Sequence, residues 1–169
     1  MASYLTQAAN LVFGSLSAAT EYARGWGRNI QWVSMKEGQR LAREQNKPAM
    51  VVIHKTWCRA CRALRPRFAN SRDIEKLSNE FIMINVEDDE EPKTSEFKPD
   101  GGYIPRILFM APDGKVMTHV QNQKSTGYRH YYPETTSILD SMKRVLKQTG
   151  GNPNVLETVR PRSTSRGRR

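Results

Sequence analysis

The chain has 169 residues, 37% of them hydrophobic, which is enough to bury the core of one domain and leave an extension at each end. Its net charge is +10, but five arginines within residues 160–169 carry half of it, so the charge favours a solvated tail over a nucleic-acid site. Two cysteines exclude a disulfide-scaffold miniprotein, and no uninterrupted apolar run of the sequence has membrane-spanning length.

Residues 1–24 allow two interpretations. No charged side chain precedes Glu21, and apolar residues recur at helical spacing, which is typical of an amphipathic helix that packs on the domain or on a partner. The same stretch also has a short apolar core at 11–16 and small residues at 17–19, which is typical of a secretory signal peptide, here without a basic n-region. Both interpretations stay open at this point.

Residues 25–149 are expected to fold as one domain in which strands and helices alternate. The predicted elements are, in order, a short edge strand at 30–33, a helix from Ser34 to about 44, a central strand at 49–53, a helix after 58, a helix at 71–79, a second apolar strand at 81–86, a third at 106–110, a hairpin strand at 115–120 and a last helix from 133 to 149. Residues 150–169 are expected to form a disordered basic tail.

Two polar segments between these elements carry side chains that suit binding. Residues 87–91 are five adjacent carboxylates, and a solvated loop that balances the arginine-rich helix after 58 is favoured over a divalent-cation site. Tyr128, Tyr131 and Tyr132 precede the last helix, and we expect them to pack against it rather than to grip a peptide.

Cys58 and Cys61 lie where the central strand gives way to a helix. At the start of a helix, unpaired N–H groups and the helix dipole favour the thiolate of Cys58, and Cys61 falls one turn further on, close enough to close a disulfide. Tetrahedral zinc needs four ligands, but the three histidines are scattered singly, and a bridge across three residues restricts the unfolded chain little. The spacing therefore favours redox exchange, without a metal, over a metal site or a structural disulfide.

Several separated motifs carry a family resemblance. They are HKTWCRACRALRPRF at 54–68, NVED at 85–88, EEPK at 90–93 and PDGGYIPRILF at 99–109. In this order they resemble the small endoplasmic-reticulum family of thioredoxin domain-containing protein 12 and the anterior-gradient proteins, over nearly the whole domain. The resemblance implies the thioredoxin fold, an α/β fold with a central mixed β-sheet flanked by helices. Because the second cysteine is present, the dithiol oxidoreductase branch is the better match.

The resemblance also implies roles for individual residues. Cys58 would be the nucleophilic thiol, Cys61 the resolving thiol, and Pro105 a cis-proline beside them, with Trp57, Ile104 and Pro105 contacting the substrate chain. The implied function is disulfide exchange in cysteine-containing proteins of the secretory pathway, with glutathione as a small-molecule couple and no other cofactor. The alternative is a chaperone-like or partner-binding module with little redox turnover.

Two departures from the family concern the acid-base chemistry. Arg59 stands where the family's oxidoreductases usually carry glycine, and together with Arg62 it adds positive charge beside Cys58, which favours a thiolate and a more oxidising couple. Val52 stands where thioredoxins place a buried aspartate, so Glu87 becomes the candidate proton acceptor for the resolving thiol.

A third departure concerns location. The sequence ends RGRR at 166–169, whereas family members end in an acidic retention tetrapeptide. This departure counts against retention in the endoplasmic reticulum, whereas the N-terminal signal-like stretch and the resemblance favour the secretory pathway. We expect the lumen of the endoplasmic reticulum or secretion, with the cytoplasm as the alternative.

Overall fold

The computed structural model describes residues 20–157. The two interpretations of the N-terminal segment therefore fall mostly outside the described residues, as does most of the predicted basic tail, and the domain boundaries stay predictions. Within residues 20–157, none of the helices combines the length and the hydropathy that crossing a bilayer requires.

Strands and helices alternate along the described chain and confirm the predicted α/β class, with a mixed four-stranded sheet flanked by helices. The elements are β1 (Trp32–Val33), α1 (Met35–Gln45), β2 (Ala49–His54), α2 (Arg59–Ala69), α3 (Arg72–Ser78), β3 (Ile82–Glu87), β4 (Arg106–Met110) and α4 (Thr135–Thr149), with short 3-10 turns at Asp88–Glu90 and Ser95–Phe97.

The sheet has the strand order β1-β3-β2-β4. The β1 and β2 strands run parallel to β3, and β4 runs antiparallel to β2. All six residues of β2 are buried, as the uninterrupted apolar run predicted for a central strand covered on both faces. The parallel strands β2 and β3 end at the same edge, so the segments that follow them meet there.

Alternate residues of β2 supply two separate cores. Met50 and Val52 pack in a large apolar cluster with residues of α2, α3 and α4, whereas Val51 and Ile53 pack in a smaller cluster with α1. Helix α1 lies very close to the sheet at Gly38, where a Cβ atom would stand 2.3 Å from the Ile84 side chain. Only glycine permits that approach.

The helix boundaries follow the capping signals of the sequence. The Ser34 hydroxyl accepts a hydrogen bond from the Glu37 N–H at 3.3 Å, and the Ser71 hydroxyl accepts one from the Ile74 N–H, also at 3.3 Å. Gly150 ends α4 in the left-handed conformation, with φ of +75°. The predicted start and end of these helices are therefore correct to within about two residues.

The prediction of a hairpin strand at 115–120 is wrong in extent. Residues 110 and 116 form a single bridge, and the N–H of Met117 still donates to the Phe109 carbonyl at 2.8 Å. The chain then turns, because the Val120 N–H bonds back to the Met117 carbonyl at 2.9 Å while both side chains are buried in the core. This turn ends the antiparallel pairing after the single bridge.

Candidate active site

The two cysteines lie where β2 passes into α2. Cys58 is the N-cap residue of the helix, and its Sγ accepts a hydrogen bond from the Cys61 N–H at 3.1 Å. The first helical carbonyl is also that of Cys58, which accepts from the Arg62 N–H at 3.1 Å. Cys58 and Cys61 form a disulfide with their Cα atoms 5.2 Å apart. The predicted closeness and helix-start position of the pair are confirmed.

The two cysteines differ slightly in exposure to solvent. Cys58 is 5% exposed, whereas Cys61 is fully buried. Trp57, the residue before the pair, is 71% exposed, the largest value among the big hydrophobic side chains of the described chain. Cys58 therefore keeps a small solvent-accessible surface that Cys61 lacks, and it directly follows an exposed tryptophan.

A cis-proline segment lies at the same sheet edge. The Ile104–Pro105 peptide bond is cis, and β4 begins directly after it at Arg106. Arg106 pairs with Ile53 of β2, five residues before the first cysteine, so the proline is held beside the chain that leads into the dithiol. The preceding Tyr103 hydroxyl donates to the Asp100 carboxylate at 2.7 Å and accepts the His130 N–H at 2.8 Å.

Glu91 joins the two halves of this site. Its carboxylate lies 3.1 Å from the Lys55 Nζ, three residues before Cys58, and it forms an ion pair and hydrogen bond with the guanidinium of Arg106, one residue after the cis-proline. Burial raises the pKa of Glu91, but the hydrogen bonds from Arg106 and Lys55 outweigh it and bring the pKa below its usual value. The carboxylate therefore stays charged and ties the dithiol loop to the proline loop.

The dithiol loop has a second anchor at Asp88. The Asp88 carboxylate accepts the Thr56 backbone N–H at 2.8 Å and the Thr56 hydroxyl at 3.0 Å. These hydrogen bonds lower the pKa of Asp88, the backbone bond most. Asp88 itself has a positive φ of 52°, a conformation that aspartate adopts more readily than most side chains. Residues 55 and 56 are thus fixed just ahead of Trp57.

The five carboxylates at 87–91, which we call the acidic turn, do not balance the arginines of α2, so that expectation is wrong. Their partners come from other segments, because the turn lies at the sheet edge where β2 ends and β4 begins. The cations that form ion pairs with the acidic turn are Arg24, His54 when it is charged, Lys55, Lys98 and Arg106. Within residues 20–157 no group of three or more His, Cys, Asp and Glu side chains is placed to hold a metal ion.

A buried polar pair lies on the sheet face that carries α2. The Nε2 of His54 lies 2.6 Å from the Asn85 Oδ1, and the His54 ring packs 5.1 Å from the Trp26 ring. Burial lowers the pKa of His54 to about 4, so the ring is neutral at pH 7. In the sequence, this pair is indicated by a polar residue in each of two largely apolar strands, His54 in β2 and Asn85 in β3.

Glu87, the predicted proton acceptor for Cys61, lies at the rim of this pair. Its carboxylate is 3.7 Å from the His54 Nδ1 and 3.9 Å from the Arg24 Nε. These are its ion-pair partners, and its proposed role toward Cys61 stays a prediction.

The tyrosine loop divides into a buried and an exposed part. Tyr132 is fully buried and its hydroxyl lies 3.0 Å from the Ser141 hydroxyl of α4, as predicted. For Tyr128 the prediction is wrong, because this side chain is 62% exposed and its ring lies 4.6 Å from that of Tyr103. Tyr128 and Tyr131 also line an open cavity of about 440 Å³ with Pro133 and neighbouring residues.

The structure brings most of the predicted site residues together at one sheet edge. The dithiol, Trp57, Ile104 and Pro105 meet where β2 ends and β4 begins, and Arg59 and Arg62 lie exposed on the first turn of α2. Their catalytic, substrate-binding and tuning roles stay predictions. Glu91, Arg106, His54 and Asn85 were missed by the sequence analysis.

Comparisons with known proteins agree with this geometry. The family described as Thioredoxin-like matches residues 31–112. Anterior gradient protein 3 of Mus musculus is 38% identical over 128 residues, which are 74% of this chain and 76% of that protein. Anterior gradient protein 2 homolog of Homo sapiens is 33% identical over 127 residues, 74% of this chain and 71% of that protein.

A solved structure adds support for the fold. The solution structure of a thioredoxin from Thermus thermophilus superimposes with a TM-score of 0.54 at 17% identity. The superposition covers 72% of this chain and 91% of the thioredoxin. At that identity the likeness concerns the fold alone.

Proposed function

We propose that this chain, which belongs to the anterior gradient family of thioredoxin-like proteins, is a thiol–disulfide oxidoreductase that acts on cysteines of other proteins. The observation that carries the proposal is the disulfide between Cys58, at the solvent edge of the helix N-terminus, and the buried Cys61. A dithiol branch of the family is supported by the presence of both cysteines.

In the reducing direction the reaction has two steps. The Cys58 thiolate attacks one sulfur of a substrate disulfide, forms a mixed disulfide with it, and releases the other substrate sulfur as a thiolate that takes a proton from water. Cys61 then loses its proton and attacks the Cys58 sulfur. The Cys58–Cys61 disulfide forms, the second substrate thiolate leaves, and the substrate has gained two electrons.

The oxidising direction starts from the disulfide form of the structure. A substrate thiolate attacks the Cys58 sulfur, Cys61 leaves, and a second substrate thiolate displaces Cys58 to close the substrate disulfide. Turnover in either direction needs a small thiol–disulfide couple to reset the pair. We propose glutathione for that role, in keeping with the family resemblance.

The protein supplies two aids to these steps. The Cys61 N–H, 3.1 Å from the Cys58 sulfur, and the positive end of α2 stabilise negative charge on that sulfur when the pair is reduced. Trp57 precedes Cys58 and is exposed, and the Ile104–Pro105 segment leads into Arg106, which pairs with Ile53 of the strand before the dithiol. We assign them the substrate contacts.

Replacement of each cysteine by serine tests the proposal. With a disulfide-bonded peptide and glutathione, Cys58→Ser abolishes exchange because the attacking sulfur is gone, while Cys61→Ser accumulates a mixed disulfide that mass spectrometry detects. Equal turnover by the wild-type protein and Cys58→Ser would overturn the proposal. The unfolding curve of each variant is the control for folding.

For location we propose the lumen of the endoplasmic reticulum or secretion. The family resemblance supports this proposal, whereas a single Cys-x-x-Cys pair is compatible with either redox compartment. A glycosylation acceptor site added within an exposed loop of the full chain checks this. Modification of the site is expected, and its absence, together with a cytoplasmic signal in imaging, would assign the chain to the cytoplasm.

A second function is favoured by the tyrosine loop. The exposed Tyr128 and the open cavity beside it suit a partner-binding or chaperone-like module. In that case Cys58→Ser leaves partner binding intact, whereas Tyr128→Ala lowers it. Under the oxidoreductase proposal the first substitution removes activity and the second changes it little.

A further inference from the structure

Helix α2 carries more positive charge than its surroundings neutralise. It has four arginines and no acidic residue. Arg67 lies 3.7 Å from the Glu134 carboxylate, and the Cδ of Arg65 packs over Gly25, where a Cβ atom would lie 2.7 Å from it. Within residues 20–157, Arg59 and Arg62 have no acidic partner, and both are exposed.

The acidic turn does not supply the missing partners. Glu87 and Glu90 pair with Arg24, and Glu91 pairs with Lys55, Lys98 and Arg106. Asp88 is occupied by hydrogen bonds from Thr56. The positive charge of the first turn of α2 is therefore left open to solvent.

These two arginines stand at the reacting sulfur. Arg59 follows Cys58 directly, and Arg62 lies one turn further on, with its N–H bonded to the Cys58 carbonyl at 3.1 Å. Residues three apart lie on one helix face, so both arginines lie on the same exposed face of the first turn of α2. A substrate segment that brings its sulfur to Cys58, the N-cap of α2, therefore comes to the helix turn that carries both arginines.

We propose that Arg59 and Arg62 are a docking pair for acidic side chains that flank the reacting cysteine of a protein substrate. A guanidinium group binds a carboxylate through two parallel hydrogen bonds and suits it better than an ammonium group does. Exposed opposite charges raise the rate of association and make it depend on salt. This inference rests on the proposed exchange activity and names the substrate class of the same site.

Matched peptides test the docking pair. Three peptides carry the same disulfide-bonded cysteine flanked by two glutamates, two glutamines or two lysines, and the second-order rate of their reduction by the reduced full chain is measured. The wild-type protein is expected to reduce the glutamate peptide fastest and the lysine peptide slowest. In about 0.5 M salt the three rates converge, because the Debye length is then only about 4 Å.

Variants separate docking from other effects of charge. The double variant Arg59→Gln, Arg62→Gln is expected to lower the glutamate-to-glutamine rate ratio about threefold to tenfold. A change in the reactivity of Cys58 alters all three rates alike and cancels in that ratio. The control Arg28→Gln, Arg72→Gln removes the same net charge from exposed positions outside α2 and leaves the ratio unchanged. Arg59→Lys, Arg62→Lys restores part of the preference.

The other outcomes distinguish failure of the docking pair from failure of the exchange activity. An unchanged ratio in the Arg59, Arg62 double variant, or an equal fall in the control, overturns the docking pair while the exchange activity stands. No exchange with any peptide overturns the proposed function and this inference with it. If a single-stranded DNA oligonucleotide inhibits exchange as strongly as an acidic peptide of equal charge, the surface binds polyanions in general, and the proposed substrate class is wrong.

Discussion

Two charged regions flank the dithiol, and the protein uses them differently. The acidic turn, residues 87–91, has cationic partners from several other segments, and one of its carboxylates holds a guanidinium that is fully buried. Helix α2 instead exposes Arg59 and Arg62 beside the reactive sulfur, without acidic partners in the described part of the chain. Charge that is paired fixes the geometry of the site, and charge that is unpaired is left for an incoming substrate.

The difference follows from position. The acidic turn lies at the edge where two parallel strands end, next to the start of β4. Lys55, which follows β2 directly, and Arg106, the first residue of β4, are therefore within its reach. Arg59 and Arg62, in the first turn of α2, are instead exposed to solvent. Four of the five adjacent carboxylates therefore serve the fold, whereas the two exposed arginines are left for recognition.

The largest expected effect on stability is at the acidic turn, where the charges are paired. Glu91→Gln removes the negative charge that compensates Arg106, which is 0% exposed, and loosens Lys55 as well. Loss of one partner of a largely buried ion pair is expected to lower the free energy of unfolding by about 3 kcal/mol. Urea denaturation measures it, with the exposed Asp89→Asn as the control. A change below about 0.5 kcal/mol would show that Glu91 does not hold the site together.

Acid is expected to lower the free energy of unfolding through the buried His54, by somewhat less than Glu91→Gln does. The pKa of His54 is about 4 when folded and 6.5 as a free side chain, so the unfolded chain binds the proton first as pH falls. The stability contribution is complete above pH 6.5 and is lost as the pH falls toward 4. From pH 7 to 5 the loss is about 2 kcal/mol.

The matched variant for this pH effect is His54→Gln, which keeps an amide N–H for the Asn85 oxygen but does not titrate. Urea denaturation from pH 7 to 5 is expected to show a flatter profile for the variant than for the wild-type protein. The buried His130, whose pKa burial also lowers, contributes in the same direction in both proteins. Profiles of equal slope would show that protonation of His54 does not cause the loss of stability in acid.

A more exposed pair of the acidic turn gives a still smaller effect. Arg24 binds Glu90 through two hydrogen bonds of 2.5 and 2.6 Å, and their side chains are 18% and 44% exposed. Arg24→Gln is expected to lower the free energy of unfolding by about 1 kcal/mol, since solvent screens the pair. Arg40→Gln, on an exposed pair in α1, is the control. A loss equal to that of Glu91→Gln would contradict the ranking by burial.

The smallest effect on stability is expected for the unpaired arginines of α2. Arg59→Gln together with Arg62→Gln breaks no ion pair within residues 20–157, so the free energy of unfolding is expected to stay within about 0.5 kcal/mol of the wild-type value. Urea denaturation of the double variant measures this. A loss above about 1 kcal/mol would mean that these arginines have structural partners, and the contrast between the two regions would fail.

The sequence was enough to predict local features of the fold and the dithiol. The apolar run at 49–53, the Ser34 cap and the Cys-x-x-Cys pair each depend on neighbours in the chain, and the structure has them where expected. The link from Glu91 to Lys55 and Arg106 was not predictable in this way. Its members are far apart in sequence, and only the register of β2 with β3 and β4 brings them together. The exposure of Tyr128 depends on tertiary packing in the same way.

The reduction potential of the Cys58–Cys61 pair tests the central claim most directly. The wild-type protein and the Arg59→Gln, Arg62→Gln variant are equilibrated with glutathione buffers, and Trp57 fluorescence reports the redox state. We predict a wild-type potential of about −180 mV or above, lowered by about 10–20 mV in the variant because the thiolate loses nearby positive charge. A pair that forms no disulfide in these buffers would contradict the oxidoreductase proposal, and a wild-type value near about −270 mV would contradict an oxidising couple tuned by Arg59 and Arg62.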